Sequence, residues 1–345
     1  MLSIGNVTVA SSIVLAPMAG ISDLPFRLIN RSFGCRFAFT EMISAHSLLH
    51  KNRTTMKMLF STAVDRPLGV QILGGDPEII KGALDIISGY PFDIIDFNAA
   101  CPVNKVVSRG EGAGLLRDTV KLQKLLRVVV ENSSVPVTVK IRSGWAGTSV
   151  NALETALRAQ DAGVRGLTIH GRTREQGYRG KVDYNVIREV KTFLEIPVIA
   201  SGDALTPDLI SKLFDETGCD GVAIARGALG NPWIFRETAE QLKGGTVPLR
   251  PDVYEVVKTM REHLALLVAF HGEKTGVMLF RKLFIWYTRG MAVKRLRVRA
   301  FLAATRDEML RLIGELEVSR AAEMREAALF NNPDGAVLGG MEDFV

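Results

Sequence analysis

The sequence is poor in cysteine. It has three, Cys35, Cys101 and Cys219, odd in number and widely separated. That spacing suits neither a disulfide framework nor a zinc site, and no metal site is expected. Long apolar runs are missing too. No stretch reaches the ~20 residues that cross a bilayer, so no membrane span is expected. The opening residues, MLSIGNVTVASSIVLAPMAG, lack a basic n-region and hold only a short apolar run, so no signal peptide is expected. A reducing cytoplasm is the expected home. A strong charge bias is also absent: 43 Lys+Arg against 37 Asp+Glu leaves +6, a mild lean toward polyanions that decides nothing alone. Beyond a βα period, no internal repeat is visible.

Eight short apolar runs are present, at 13–16, 37–40, 68–71, 94–97, 137–140, 167–169, 198–200 and 221–224. Each leads into a loop, several of them marked by Gly or Pro, and then into an amphipathic stretch such as 150–162 or 207–217. Continuous apolar strands alternating with helices predict a parallel sheet covered on its outside. Eight units in roughly 240 residues fit a (β/α)8 TIM barrel. A doubly wound open sheet is the alternative. It usually carries a glycine fingerprint in its first βα turn, where this chain has Pro17-Met18-Ala19-Gly20. After residue 235 the pattern changes. Lys243-Gly244-Gly245-Thr246-Val247-Pro248 reads as a linker, and from Val253 to about Leu329 the apolar spacing is helical. The chain is therefore expected to be α/β: a barrel over 1–243, a smaller all-helical domain over 249–330, and a flexible tail over 331–345.

Such barrels carry their active sites at the C-terminal ends of the strands. Those ends hold Gln71, Asn98, Lys140 and His170, at equivalent points of successive units. Polarity at a strand end needs no function, but a lysine inside the apolar run Val137-Thr138-Val139-Lys140-Ile141 needs an anionic or acceptor partner. Ser201-Gly202-Asp203 and Ala225-Arg226-Gly227, after the last two strands, are small and rich in backbone donors, where barrels commonly bind a phosphate. Cys101-Pro102 follows the strand that ends at Asn98. A lone cysteine is most often a small buried hydrophobe, but Asn98, Lys105 and the glycines Gly110, Gly112 and Gly114 around this one favour a site for acid–base work. Arg281, Lys282, Arg289, Lys294, Arg295, Arg297 and Arg299 lie among Phe284, Trp286 and Tyr287 with no acid between them. Basic residues with interleaved aromatics fit RNA backbone contact plus stacking, against the plainer reading of a solvated helix face with core aromatics.

Taken together the motifs are recognisable. Leu15-Ala16-Pro17-Met18-Ala19-Gly20-Ile21-Ser22-Asp23-Leu24-Pro25-Phe26-Arg27, Thr40-Glu41-Met42, Gln71-Ile72, Cys101-Pro102, Val139-Lys140-Ile141-Arg142, Ile169-His170-Gly171-Arg172-Thr173-Arg174, Gly202-Asp203 and Arg226-Gly227-Ala228 resemble those of the tRNA-dihydrouridine synthases. The resemblance is nearest to the bacterial B-type branch. It implies an FMN-binding barrel followed by a helical tRNA-binding domain, with NADPH or NADH as reductant. Pro17, Met18 and Ala19 would line the flavin ring. Gln71 and Lys140 would meet its polar edge, and His170 would lie beside it. Ser201, Gly202, Asp203, Ala225 and Arg226 would cradle the ribityl phosphate. Cys101 would be the general acid, and Asn98 would contact the flavin or the target uracil; Lys105, Arg172 and Arg174, with Arg295 and Arg297 of the basic stretch, are the residues expected to meet the RNA. Ala100 stands where the family usually has glycine, so a positive φ there would be strained.

The implied reaction is reduction of the C5–C6 bond of uridine in tRNA by a monomeric enzyme. A flavin barrel acting on a free pyrimidine, as dihydroorotate dehydrogenases do, is the alternative; the basic helices argue against it. A non-catalytic RNA-binding protein is a third reading, opposed by Cys101 and Lys140.

Overall fold

The computed structural model describes residues 1–318. The expected tail over 331–345, and the helical pattern beyond 318, lie outside them.

A hairpin comes first, β1 (Leu2–Ile4) and β2 (Val7–Val9), paired antiparallel. Eight strands then close a barrel: β3 (Ile13–Leu15), β4 (Ala38–Ser44), β5 (Leu68–Leu73), β6 (Ile94–Ala99), β7 (Val137–Arg142), β8 (Gly166–His170), β9 (Val198–Ser201) and β10 (Gly221–Ile224). They run parallel in chain order, with β10 returning to β3. All eight expected strands are present. The hairpin was not foreseen, because three-residue strands are too short to show an alternation. Its Leu2, Ile4 and Val9 pack with Phe37, Phe39, Ile94, Ile199 and Ala223.

The barrel strands read as continuous apolar runs because helices cover them. The helices are α1 (Leu24–Ser32), α2 (Ala45–Leu49), α3 (Arg53–Lys57), α4 (Pro77–Ile87), α5 (Asn104–Val107), α6 (Thr119–Glu131), α7 (Ala152–Asp161), α8 (Tyr184–Phe193), α9 (Pro207–Thr217) and α10 (Ile234–Leu242). Several start on a side-chain cap: Asp23 for α1, Asp76 for α4, Asp118 for α6, Asp183 for α8 and Thr206 for α9. Each cap satisfies an orphan N–H and is worth ~1 kcal/mol. Strand β4 is longer than expected. Its pairing with β5 shifts register between Phe39 and Met42, and at this bulge the Glu41 carboxylate accepts the N–H of Gly20.

Four more helices follow: α11 (Val253–His271), α12 (Glu273–Tyr287), α13 (Lys294–Leu302) and α14 (Arg306–Val318). They pack tightly on the barrel. Gly230, at φ +63°, has no room for a Cβ because the backbone of Trp286 and Tyr287 would lie 2.3–2.6 Å away. His263 on α11 bonds the Tyr287 hydroxyl through Nδ1 at 3.0 Å and packs against Phe26 of α1. One expectation is corrected here. Phe284 and Tyr287 are fully buried and Trp286 packs against the same core. Phe284 and Tyr287 hold the helices together and are not a stacking platform for bases.

Candidate active site

The C-terminal mouth of the barrel gathers the polar strand ends. Gln71, Asp96 and Thr138 occupy facing positions on β5, β6 and β7, and Asn98, Lys140 and Thr168 do so on β6, β7 and β8. Thr138 donates its hydroxyl to Asp96 Oδ1 at 2.6 Å, and Gln71 Nε2 donates to Asp96 Oδ2 at 2.6 Å. Asn98 Nδ2 donates to Gln71 Oε1 at 2.8 Å. The Asn98 oxygen accepts the backbone N–H groups of Ala100 and Cys101 at 3.0 and 2.9 Å. Asp96 was absent from the expected site. Its signal was the one that exposed Lys140, a charged residue inside an apolar run.

Cys101 is half-buried at this mouth. Burial pushes its thiol up from the usual range, while the Val103 backbone, Arg142 and Lys140 pull it down. The result is a protonated thiol at neutral pH, the state a proton donor needs. Gly112, at φ +55°, closes against this loop; a Cβ there would lie 2.9 Å from the Cys101 carbonyl. Ala100 is accommodated without strain, since among the described non-glycine residues only Lys51 and Asp203 have positive φ.

Burial and the nearby Arg142 push the Lys140 ammonium down to about 8, with Asp96 and Cys101 pulling the other way. It is a cation at neutral pH, and it forms no ion pair among the described residues. Arg142 also escaped the sequence reading. Its Nε donates to the Ala100 carbonyl at 2.8 Å and its Nη1 to the carbonyls of Thr173 and Gly177, joining the Cys101 loop to the loop after β8. Burial pushes its guanidinium down to about 10. His170 is held neutral, first by burial and then by Arg142, Lys140, Arg172 and Arg226 around it. Its Nδ1 is buried without a partner among the described residues. Tyr178, also unforeseen, lies edge-on to His170, with the guanidiniums of Arg142 and Arg226 at 5.6 and 5.3 Å from its ring. An aromatic inside the basic loop 171–181 was its only mark in the sequence.

The ends of β9 and β10 form the other side. Gly202 has φ +120°, and a Cβ there would meet Val182 at 2.8 Å and His170 Nε2 at 3.5 Å. Gly227 would place a Cβ 2.2 Å from the Ala204 carbonyl. Ser201 is buried, while Asp203 takes both Nη groups of Arg172 and one of Arg226. Arg172 needs a correction. It was expected on the substrate, but it is buried and its donors go to Asp203 and the Gly180 carbonyl. Pro17, Met18 and Ala19 follow β3 in the turn closed by Met18 N–H to Ser22 Oγ. Lys105 is exposed on α5, and Arg174 donates to Asn104 while lying 4.7 Å from the Trp145 ring, whose neighbour on the same ring is Arg117 at 4.2 Å.

The basic helices divide. Lys294 and Arg295 are exposed. Arg297 is half-buried and bonds Thr288 and the Met291 carbonyl, a structural role the sequence did not show. Arg281 donates twice to the Ala303 carbonyl, and Arg299 pairs with Glu315.

The sequence pattern of one protein family, described as Dihydrouridine synthase (Dus), matches residues 14–323. The chain belongs to the dihydrouridine synthase family. Among curated relatives, tRNA-dihydrouridine synthase B of Pseudomonas putida is 38% identical over 284 residues, covering 82% of this chain and 84% of that protein. The Pseudomonas aeruginosa protein of the same name is 39% identical over 285 residues, covering 82% and 86%. Among solved structures, 6-hydroxypseudooxynicotine amine oxidase from Pseudomonas geniculata matches with TM-score 0.55 at 13% identity. The match covers 75% of this chain and 52% of that one, a likeness of fold alone. No helix among the described residues is long and apolar enough to cross a membrane.

Proposed function

We propose that this dihydrouridine synthase reduces the C5–C6 bond of uridine in tRNA, with FMN seated in the barrel mouth and NADPH or NADH as reductant. The observation that carries the reading is Cys101, a thiol kept protonated by burial and flanked by the cations of Lys140 and Arg142.

The residues present suit FMN. His170 Nδ1 is buried and unpartnered, Lys140 is a cation without an ion pair, and the backbone at Gly202 and Gly227 leaves no space for a side chain. Pro17, Met18 and Ala19 would lie along the ring, Gln71 and Lys140 at its polar edge, and His170 beside it. Ser201, Gly202, Asp203, Ala225 and Arg226 would surround the ribityl chain and phosphate. When bound, FMN would supply the hydride chemistry needed at C6 of the uracil, with the nicotinamide as the source of electrons. Cys101 gives its proton to C5, which completes the addition of two hydrogens across the double bond. Lys140 and Arg142 stabilise the thiolate that remains. Asn98 holds the Cys101 loop by its backbone.

RNA contact falls to Lys294 and Arg295 on α13 and to Lys105 and Arg174 at the rim. We divide the chain into a catalytic barrel over 1–243 and an RNA-binding helical domain over 249–330, working as a monomer in the cytoplasm, where tRNA is found. The test is anaerobic reoxidation of the reduced protein. Unmodified tRNA should reoxidise the flavin and gain dihydrouridine, and free uridine should do neither. Equal rates with free uridine would move the reading to a free-pyrimidine reductase.

A further inference from the structure

We infer that Asp96 fixes the direction of a chain of hydrogen bonds that ends on the backbone of Cys101, and so acts as a positioning residue for the proton donor. An ionised carboxylate only accepts. Asp96 accepts from Thr138 on one oxygen and from Gln71 Nε2 on the other. Gln71 must then turn its oxygen toward Asn98, and Asn98 donates to it. The Asn98 oxygen is thereby left facing the N–H groups of Ala100 and Cys101. A side-chain amide keeps its shape when it flips, so packing alone does not choose between the two directions. Polarity chooses. Reversing Gln71 would set donor against donor at Asn98, and reversing Asn98 would set its NH2 against two loop N–H groups.

The side chains of Thr138, Asp96, Gln71 and Asn98 are all buried, so a mismatch among them has no water to relieve it. Burial pushes the Asp96 carboxyl up to about 6, against the pull of its Gln71 and Thr138 bonds and of Lys140. The group is still ionised at neutral pH and the direction holds there. Arg142 grips the Ala100 carbonyl from the other side of the loop. The consequence for catalysis rests on Cys101 being the acid; the hydrogen-bond chain and its test do not.

The direction can be reversed on purpose. In Asn98→Asp the new carboxylate accepts from the loop and needs Gln71 Nε2, while Asp96 needs it too. Adding Asp96→Asn resolves the conflict, because the amide it introduces can donate to a flipped Gln71 and accept from Thr138. The cycle of wild type, Asp96→Asn, Asn98→Asp and the double variant is read on the full-length protein as isolated. The readouts are melting temperature against pH and the rate of Cys101 alkylation by iodoacetamide, Cys35 and Cys219 being buried. Asn98→Asp should melt lower, with the loss growing as pH rises through the range where Asp96 ionises, and its Cys101 alkylation rate, compared at equal thiolate fraction because the added carboxylate disfavours the thiolate, should rise. The double variant should recover most of both. A double variant as impaired as the sum of its parts, or an Asn98→Asp protein indistinguishable from wild type, overturns the inference. If Asn98→Asp does not fold, recovery of folding on adding Asp96→Asn supports it, and failure of the double variant to fold overturns it.

Discussion

Arg172 grips Asp203 with both ends of its guanidinium, Nη1 to Oδ1 at 3.0 Å and Nη2 to Oδ2 at 2.6 Å. Asp203 stands at φ +53° between Gly202 and Ala204, a conformation an aspartate adopts at some cost. The pair, with Arg226 on the same carboxylate, holds the β9 loop against the β10 loop.

Asp203→Ala should therefore loosen this loop. Breaking a fully buried pair costs ~3–5 kcal/mol. Asp203 is 29% exposed, so about 1–3 kcal/mol is expected once solvent screening is counted. Urea unfolding measures the loss, and flavin retention on gel filtration should fall with it. Unchanged stability would mean that the loop is held by its backbone alone.

Lys140 sets a pH limit. Its ammonium is pushed down to about 8, so the cation is present below that pH and lost above it. Affinity for FMN should fall as pH rises through 8 in the wild type. Lys140→Ala should bind FMN more weakly at neutral pH and show no such fall. Fluorescence titration of the flavin-stripped protein across that range decides it. A wild-type curve that stays flat would place the lysine away from the cofactor.

Cys101→Ala should remove proton delivery and little else. General acid catalysis is worth ~10²–10⁴-fold, so single-turnover reoxidation by tRNA should slow by that order, with flavin reduction unchanged. Serine there should rescue little, since a hydroxyl is a far weaker acid than a thiol. Cys35→Ala and Cys219→Ala should behave as wild type in this assay. Both are buried, with Sγ against the carbonyls of Phe37 and Leu213, and burial pushes Cys35 up to about 11. Wild-type reoxidation by Cys101→Ala would assign the acid to another group.

The basic helix α13 should separate into two behaviours. Arg295→Glu should weaken tRNA binding and lower its salt slope, with the fold intact. Arg297→Glu should destabilise the 288–297 turn first, because its guanidinium ties the Thr288 and Met291 carbonyls. Thermal melting beside filter binding over a salt series tells them apart. Equal stability for both would return Arg297 to the RNA surface.

The barrel was legible because its code is local. Each strand is a short run of mostly apolar residues, and the covering helices have their own period, several with a side-chain cap. The four polar residues Gln71, Asn98, Lys140 and His170 stood out because each lies near the C-terminal end of an apolar strand, but the register sets them on three levels: Gln71 beside Asp96, Asn98 beside Lys140, and His170 beside Arg142. Asp96 carried the same mark as Lys140 and went unread. Its role lies in which oxygen faces which amide, and spacing along a chain does not encode that. The internal bonds of Arg172 and Arg297 went unread as well. In sequence a guanidinium that will be spent on carbonyls looks the same as one left for a phosphate.

The sequence by itself determined the period of alternating strands and helices, the caps that start the helices, and the supply of thiol, cations and small residues at the strand ends. Those depend on residues within a turn or two of each other. Closure of β10 onto β3, the inward turn of Phe284 and Tyr287, and the partners of Asp96, Arg142 and Asp203 were decided only by the tertiary structure. Each joins residues tens of positions apart, and a buried polar group takes whichever partner the closed barrel brings within hydrogen-bond reach.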